Sequence, residues 1–390
     1  MDAPPRGTRP RNRREVTLAA ASELFRQRGY ANVSMGDIAA ATNVGASAIY
    51  RHFSSKSELL IASVEFGLGP YLETIRSAGP DVELPELFRL IAECALDHRS
   101  LGVLWQREAR ALDDEQRRPL RDQLVAISRL VSTRISAARP ELDDAQADTL
   151  SWCVMGASVS IGFHSATLPR EEFVTLLSGL FLSIVGVDFD DLPEQPPITV
   201  PDSQRIDSRR DTLITEATEL FAERGFAGAG LGEIGDAAGI AGPSIYGHFP
   251  SKQDLLVAVV RRGTEALRVA TDRVLDAHLP PLGTLLGLVD SYVTSINENR
   301  FAIRILISEM NELPPDEREE SRRSQREYVD TWVGPLRELV DPDDASARIR
   351  AQAILRVVND AVQTPHLRSQ PGFEETINRV ARAMLGIRVR

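Results

Sequence analysis

The six histidines of this 390-residue chain are His52, His98, His164, His248, His278 and His366. They are scattered, with no H-x-x-x-H or H-E-x-x-H spacing to hold a metal. Cys94 and Cys153 are too few for a four-ligand zinc site or a disulfide framework, and read as buried thiols of a reducing compartment. There is no dinucleotide fingerprint in a strand–helix setting and no phosphate loop. Carboxylates fall on polar helix faces rather than in pairs suited to acid–base work. No enzyme, metal or cofactor is therefore expected. The residues that remain for chemistry suit phosphate and base edges. Arg6, Arg9, Arg11, Arg13 and Arg14 form a basic tail that reads either as an arm contacting phosphates or the minor groove, or as a disordered solubilising end. A tight turn precedes a short helix opening on Gly45, Ala46, Ser47 and Ala48. Such small residues allow close approach in a DNA major groove about 12 Å wide.

The elements that must position these residues occur twice. Residues 14–60 and 210–256 align without a gap, with roughly 19 of 47 positions identical. A repeat this long is a duplicated domain pair, not a solenoid unit. Each copy opens with an amphipathic helix: Leu18, Ala21 and Phe25 recur at helical spacing in one, Leu213, Ala217 and Phe221 in the other, closed by Gly29 and Gly225. Short helices near 36–42 and 232–238 follow, then the turn, then a second short helix ending near Arg51 and Gly247. Pro243 suits the first turn of that helix. Ser55 and Ser251 read as caps of long helices, with Glu58 and Asp254 three residues on. Further helices are expected near 56–78, 83–97, 101–112, 116–138, 142–165 and 171–186. The second half repeats the plan near 252–277, 282–297, 299–311, 315–340, 343–363 and 373–386. The fold class is all-α, and no strand-like alternation interrupts it.

The net charge is −11, yet its distribution is uneven. Residues 6–60 carry nine Lys/Arg against four Asp/Glu, and residues 203–260 five against eight. The basic excess belongs to the first copy alone. The N-terminus lacks the apolar core of a secretory signal, and no run of about 18 apolar residues is present, so a cytoplasmic protein without a membrane partner is expected.

The pattern F-x-x-R-G-[YF], followed by I-x-x-A and [IL]-Y-x-H-F-x-S-K-x-x-L-L, resembles the N-terminal signature of the TetR/AcrR family of bacterial transcriptional regulators. It runs through Phe25, Arg28, Gly29, Tyr30, Ile38, Ile49, Tyr50, His52, Phe53 and Lys56. It recurs through Phe221, Arg224, Gly225, Phe226, Ile234, Ile245, Tyr246, His248, Phe249 and Lys252. The signature covers about a quarter of the chain. The resemblance implies two tandem TetR-like units, each a three-helix helix-turn-helix domain and a helical effector and dimerisation domain. The boundaries expected are 10–56, 57–187, a linker at 188–204, then 205–252 and 253–390. It also implies roles: Tyr50 and Tyr246 end the recognition helices and bond DNA phosphates. Lys56 and Lys252 meet a phosphate together with the N–H groups of the next helix. Ser34 caps the second helix and contacts phosphate. Ala241, Gly242, Pro243 and Ser244 open the second recognition helix, and Arg14 and Arg51 add cations to the first head. His52 and His248 either reach DNA or pack on Phe53 and Phe249. The second copy departs from the pattern with Gly230 for Ser34, Gly247 for Arg51 and Gly228-Ala229 for Asn32-Val33.

The function expected is a sequence-specific, DNA-binding regulator, a ligand-responsive repressor acting as an intrachain pseudo-dimer. Its partner is a double-stranded operator that need not be palindromic, with further homodimerisation left open. The alternative keeps only the first helix-turn-helix as a DNA reader and gives the second half to dimerisation and sensing. The resemblance implies a pocket in each helical body for a small hydrophobic effector, with Trp105, Phe163 and His164 as candidates in the first and Tyr292 and Asn359 in the second.

Overall fold

A computed structural model describes residues 13–189, 208–240 and 242–387. Arg6, Arg9, Arg11, Ala241 and most of the linker lie outside these residues. The chain divides into two compact units between Val185 and Gly186. Among the described residues every regular element is helical.

The first unit runs α1 (Arg13–Arg28), a 3₁₀ turn (Tyr30–Asn32), α2 (Met35–Ala41), α3 (Ala46–Tyr50), α4 (Lys56–Ser77), α5 (Leu84–Asp97) and α6 (Leu101–Gln106). It continues through α7 (Asp114–Ala138), α8 (Asp144–Val159) and α9 (Arg170–Val185). The second unit repeats the plan as α10 (Arg209–Gly228), α11 (Leu231–Ala237), α12 (Gly242–Ile245), α13 (Lys252–Asp276), α14 (Pro281–Glu298) and α15 (Arg300–Ser308). It ends with α16 (Pro315–Leu339), α17 (Asp344–Gln363), α18 (Pro365–Arg368) and α19 (Phe373–Met384).

Each head closes on its own apolar centre. Leu18, Phe25, Ile38, Ile49 and Phe53 are buried in the first, and Leu213, Phe221, Ile234, Ile245 and Phe249 in the second. The opening stretch breaks at a left-handed residue in both heads, Gly29 (φ 82°) just after α1 and Gly225 (φ 73°) at a kink inside α10. The turn between the two short helices needs one too, Asn43 (φ 53°) in one head and Gly239 (φ 64°) in the other. The long helix α4 then leaves the head and enters the body, where α7 packs on α8 and α5 on α9; in the second unit α13 packs on α14 and α16 on α17. Leu150, Val154 and Ala157 on α8 are buried, as are Leu177, Leu180 and Phe181 on α9. Cys94 and Cys153 are buried free thiols, and burial pushes the Cys94 thiol up to about 12.

Four helices differ from expectation, one of them the helix expected over 299–311, which ends at Ser308 and resumes as a 3₁₀ turn over Met310–Glu312. The helix expected over 101–112 stops at Gln106 and resumes as a 3₁₀ turn over Glu108–Ala111. Glu108 is buried there, its carboxylate taking the Arg107 guanidinium and the Tyr30 N–H, which turns that segment inward. The helix expected over 142–165 ends at Val159 and tightens into a 3₁₀ turn, Ser160–Gly162, where the Arg99 side chain takes the Ile161, His164 and Ala166 carbonyls. The short α18 was not foreseen; it starts on Pro365, a favoured first-turn residue.

Candidate nucleic-acid interface

In each head two short helices stand at a tight turn, and the second offers its outer face to solvent. On α3, Ile49 is buried while Ser47 and Tyr50 are exposed, Tyr50 by 54%. In the second head Ile245 is buried, Ser244 exposed and Tyr246 60% exposed. An exposed tyrosine at the end of an otherwise anchored helix is free to donate its hydroxyl to a phosphate. Ala48 is partly covered, and Gly45 precedes α3 as its N-cap. Gly242 and Pro243 open α12, and Ala46 opens α3; their side chains lie outside what is described.

The cap of α2 forms as the sequence implies. Ser34 Oγ accepts the Asp37 N–H at 3.1 Å, and the Asp37 carboxylate takes the Ser34 N–H at 2.8 Å. The Ser34 hydroxyl also donates to that carboxylate at 2.5 Å, and this bond, followed by the one from the Ser34 N–H, holds the Asp37 carboxyl below its usual range. In the second head Gly230 has no side chain to accept, so only the return half survives, Gly230 N–H to Glu233 at 2.9 Å. An ion pair sits at the same place in both heads, loose in one (Arg28–Asp37, 3.9 Å) and close in the other (Arg224–Glu233, 3.0 Å). Arg28 is thus less committed to its acid than Arg224.

Lys56 and Lys252 have a structural occupation. Lys56 Nζ donates to the Tyr30 and Val33 carbonyls at 2.9 and 3.1 Å and lies 4.3 Å from the Tyr30 ring centre. Lys252 does the same with the Phe226 and Ala229 carbonyls, at 2.7 and 3.0 Å. Each ammonium has three donors, so one remains for a phosphate. Arg14 is exposed with its guanidinium 5.5 Å from the Phe53 ring centre, and Arg51 is exposed at the end of α3. His52 is exposed and inclined to Phe53 at 6.5 Å between ring centres; His248 is partly covered.

The first head is tied to its body by two bonds that residue types alone do not reveal. The Tyr30 N–H donates to Glu108 at 2.6 Å, and Arg107 donates to the Arg26 carbonyl at 2.8 Å. Within the bodies, Tyr292 and Asn359 are brought together, the tyrosine hydroxyl donating to Asn359 Oδ1 at 3.0 Å. Trp105 stands on α6, while Phe163 and His164 follow the 3₁₀ turn Ser160–Gly162. Trp105 lies under Arg117 of α7, 5.9 Å from its guanidinium, while the Phe163 ring abuts Gly102 and His164 lies against Arg99. Among the described residues no group of three or more His, Cys, Asp or Glu is placed to hold a metal, and no helix is long and apolar enough to cross a membrane.

Paired short helices, an anchored recognition helix with an outward tyrosine, and a helical body behind them define a helix-turn-helix DNA-binding regulator. The profile described as "Bacterial regulatory proteins, tetR family" matches the chain twice, at residues 18–63 and 213–259. A second profile, "Tetracyclin repressor-like, C-terminal domain", matches residues 278–363. The chain belongs to the TetR family, with the family unit duplicated in tandem. It is 28% identical over 192 residues to the transcriptional repressor KstR2 of Rhodococcus jostii, covering 49% of this chain and 94% of that protein. It is 42% identical over 74 residues to the transcriptional activator FasR of Mycolicibacterium smegmatis, 17% of this chain and 34% of that one. A TetR-family regulator structure from Bordetella parapertussis aligns with a TM-score of 0.43 at 19% identity, over 47% of this chain and 97% of the other.

Proposed function

We propose that the chain is a ligand-responsive repressor whose two halves pair with each other, an intrachain pseudo-dimer with two unlike DNA-reading heads. Family members that act as homodimers set one recognition helix per subunit in successive major grooves, about 34–36 Å apart. A chain that carries both units supplies both helices, at an effective concentration on the order of millimolar. The observation that carries this reading is the outward tyrosine kept at the end of both recognition helices, Tyr50 and Tyr246, above the same buried isoleucine. Unlike heads read unlike half-sites, so the operator is not an inverted repeat.

One feature favours a second reading, in which only the first head reads DNA. Its full serine cap, its loosely held Arg28 and its Arg51 have as counterparts a glycine, a closely paired Arg224 and Gly247. Each cation withdrawn from phosphate weakens the salt-dependent part of binding.

Operator fragments recovered from genomic DNA with the purified protein supply the probe. Tyr50→Ala and Tyr246→Ala are each expected to weaken binding to that fragment about tenfold, the worth of a hydrogen bond to a charged acceptor. A loss confined to Tyr50→Ala selects the second reading, and no loss from either removes both.

A further inference from the structure

The two recognition segments can be compared position by position, since the copies align without a gap. Three polar residues recur at intervals of four in the first head. Asn43 stands in the turn, Ser47 on α3 and Arg51 at its end. All three are exposed, and among the described residues no side-chain bond or ion pair engages them. Ser47 and Arg51, four apart on one helix, share its outward face, while Ile49 between them is buried. An asparagine amide and an arginine fork are side chains that bond a base edge twice, adenine in one case and guanine in the other.

The second head has Gly239, Pro243 and Gly247 at these places. None of the three types brings a side-chain donor or acceptor. Packing does not demand the glycines. A Cβ at Gly239 would meet nothing within 4 Å, and the first head holds the same left-handed backbone with Asn43. Gly247 is not left-handed, and its Cβ would meet the Ser244 carbonyl at 3.3 Å. What the second head keeps is different in kind. Tyr246 is outward, and Lys252 holds one donor beyond its two carbonyl bonds. Both suit phosphate, which is the same at every base pair. Ser244 is exposed, but a hydroxyl both donates and accepts, so it tells bases apart poorly. His248 is partly covered.

We propose that only the first head reads sequence, Arg51 taking a guanine edge in the major groove. The second head holds the sugar–phosphate backbone one helical turn away, whatever bases lie beneath it. The unlike half-sites are then one of specified bases and one of any bases. This rests on the two-headed reading above and narrows it to what each head recognises.

Selection by the full chain from random duplexes of about 40 base pairs, long enough for two half-sites one turn apart, tests this. The enriched duplexes are expected to share one block of fixed base pairs that includes a guanine. Hydroxyl-radical footprints on them are expected to protect two blocks about 10 base pairs apart, the second over variable sequence. Replacing the fixed guanine is expected to lower the affinity of the unaltered chain roughly tenfold to a hundredfold, and that of Arg51→Ala by less than about threefold. Gly247→Arg is expected to bring a second fixed guanine under the second head. Arg51 and Gly247 are both exposed, so neither variant disturbs the core of its head. Two fixed blocks in the unaltered chain, or a guanine preference that survives Arg51→Ala, overturns the proposal and leaves the two-headed reading standing. Protection of one block alone overturns both.

Discussion

At Ser34 a single hydroxyl separates the two heads. It accepts the Asp37 N–H, and the glycine at the same place in the second head accepts nothing. Ser34→Ala is expected to cost about 1 kcal/mol in the first head, and Gly230→Ser to stabilise the second by a few tenths. Hydrogen exchange at the first-turn amides of α2 and α11 reads both. His164 carries a different prediction. Burial, and then the neighbouring Arg99, push its imidazole down to about 4, so the folded protein holds it neutral while the unfolded chain takes a proton near 6.5. Between those values the unfolded state binds more protons, so stability rises as pH climbs from about 4 to about 6.5. The contribution is on the order of 3 kcal/mol. Chemical denaturation across that range should flatten in His164→Gln relative to the unaltered chain. Sequence legibility was uneven at this scale. The cap and the outward tyrosines are written locally and could be read. The Lys56 bonds to Tyr30 and Val33 span 26 and 23 positions, so the ammonium read as a free cation until the head was folded.

Elements were legible where their punctuation is local. Glycine closures, serine caps and a proline in the first turn placed most helix ends within a few residues. The break after Gln106 was not legible, because its cause is Glu108 turning toward Tyr30, 78 positions away. The packing of α11 on α12 gives a prediction at this scale. Gly235 replaces the buried Ala39 of the first head, and a Cβ there would meet the Ile240 carbonyl at 2.9 Å and crowd the Ile245 side chain. Alanine is the better helix former, yet Gly235→Ala is expected to destabilise the second head by about 1–3 kcal/mol, because overpacking outweighs propensity. Faster exchange of α11 amides, with those of α2 unchanged, is the expected result.

The duplication was the most legible property of the whole molecule, since two gapless copies of one signature need no tertiary information. The packing of the bodies was not, because it depends on which positions of helices such as α14, α16 and α17 meet inside. In the pseudo-dimer reading the tether does thermodynamic work, and cutting it should show that. A protease site placed between residues 190 and 207, cleaved after purification, is expected to make operator affinity depend on protein concentration. The uncut chain should hold the operator at any dilution above its own dissociation constant. Identical titrations before and after cleavage would argue that the halves never rely on each other. The division into two units on one chain has a last consequence, in genetics. A homodimeric regulator mixes its subunits, so a defective allele poisons the partners made from a sound one. If these halves pair only with each other, each molecule stands or falls alone, and loss-of-binding alleles of this gene are recessive.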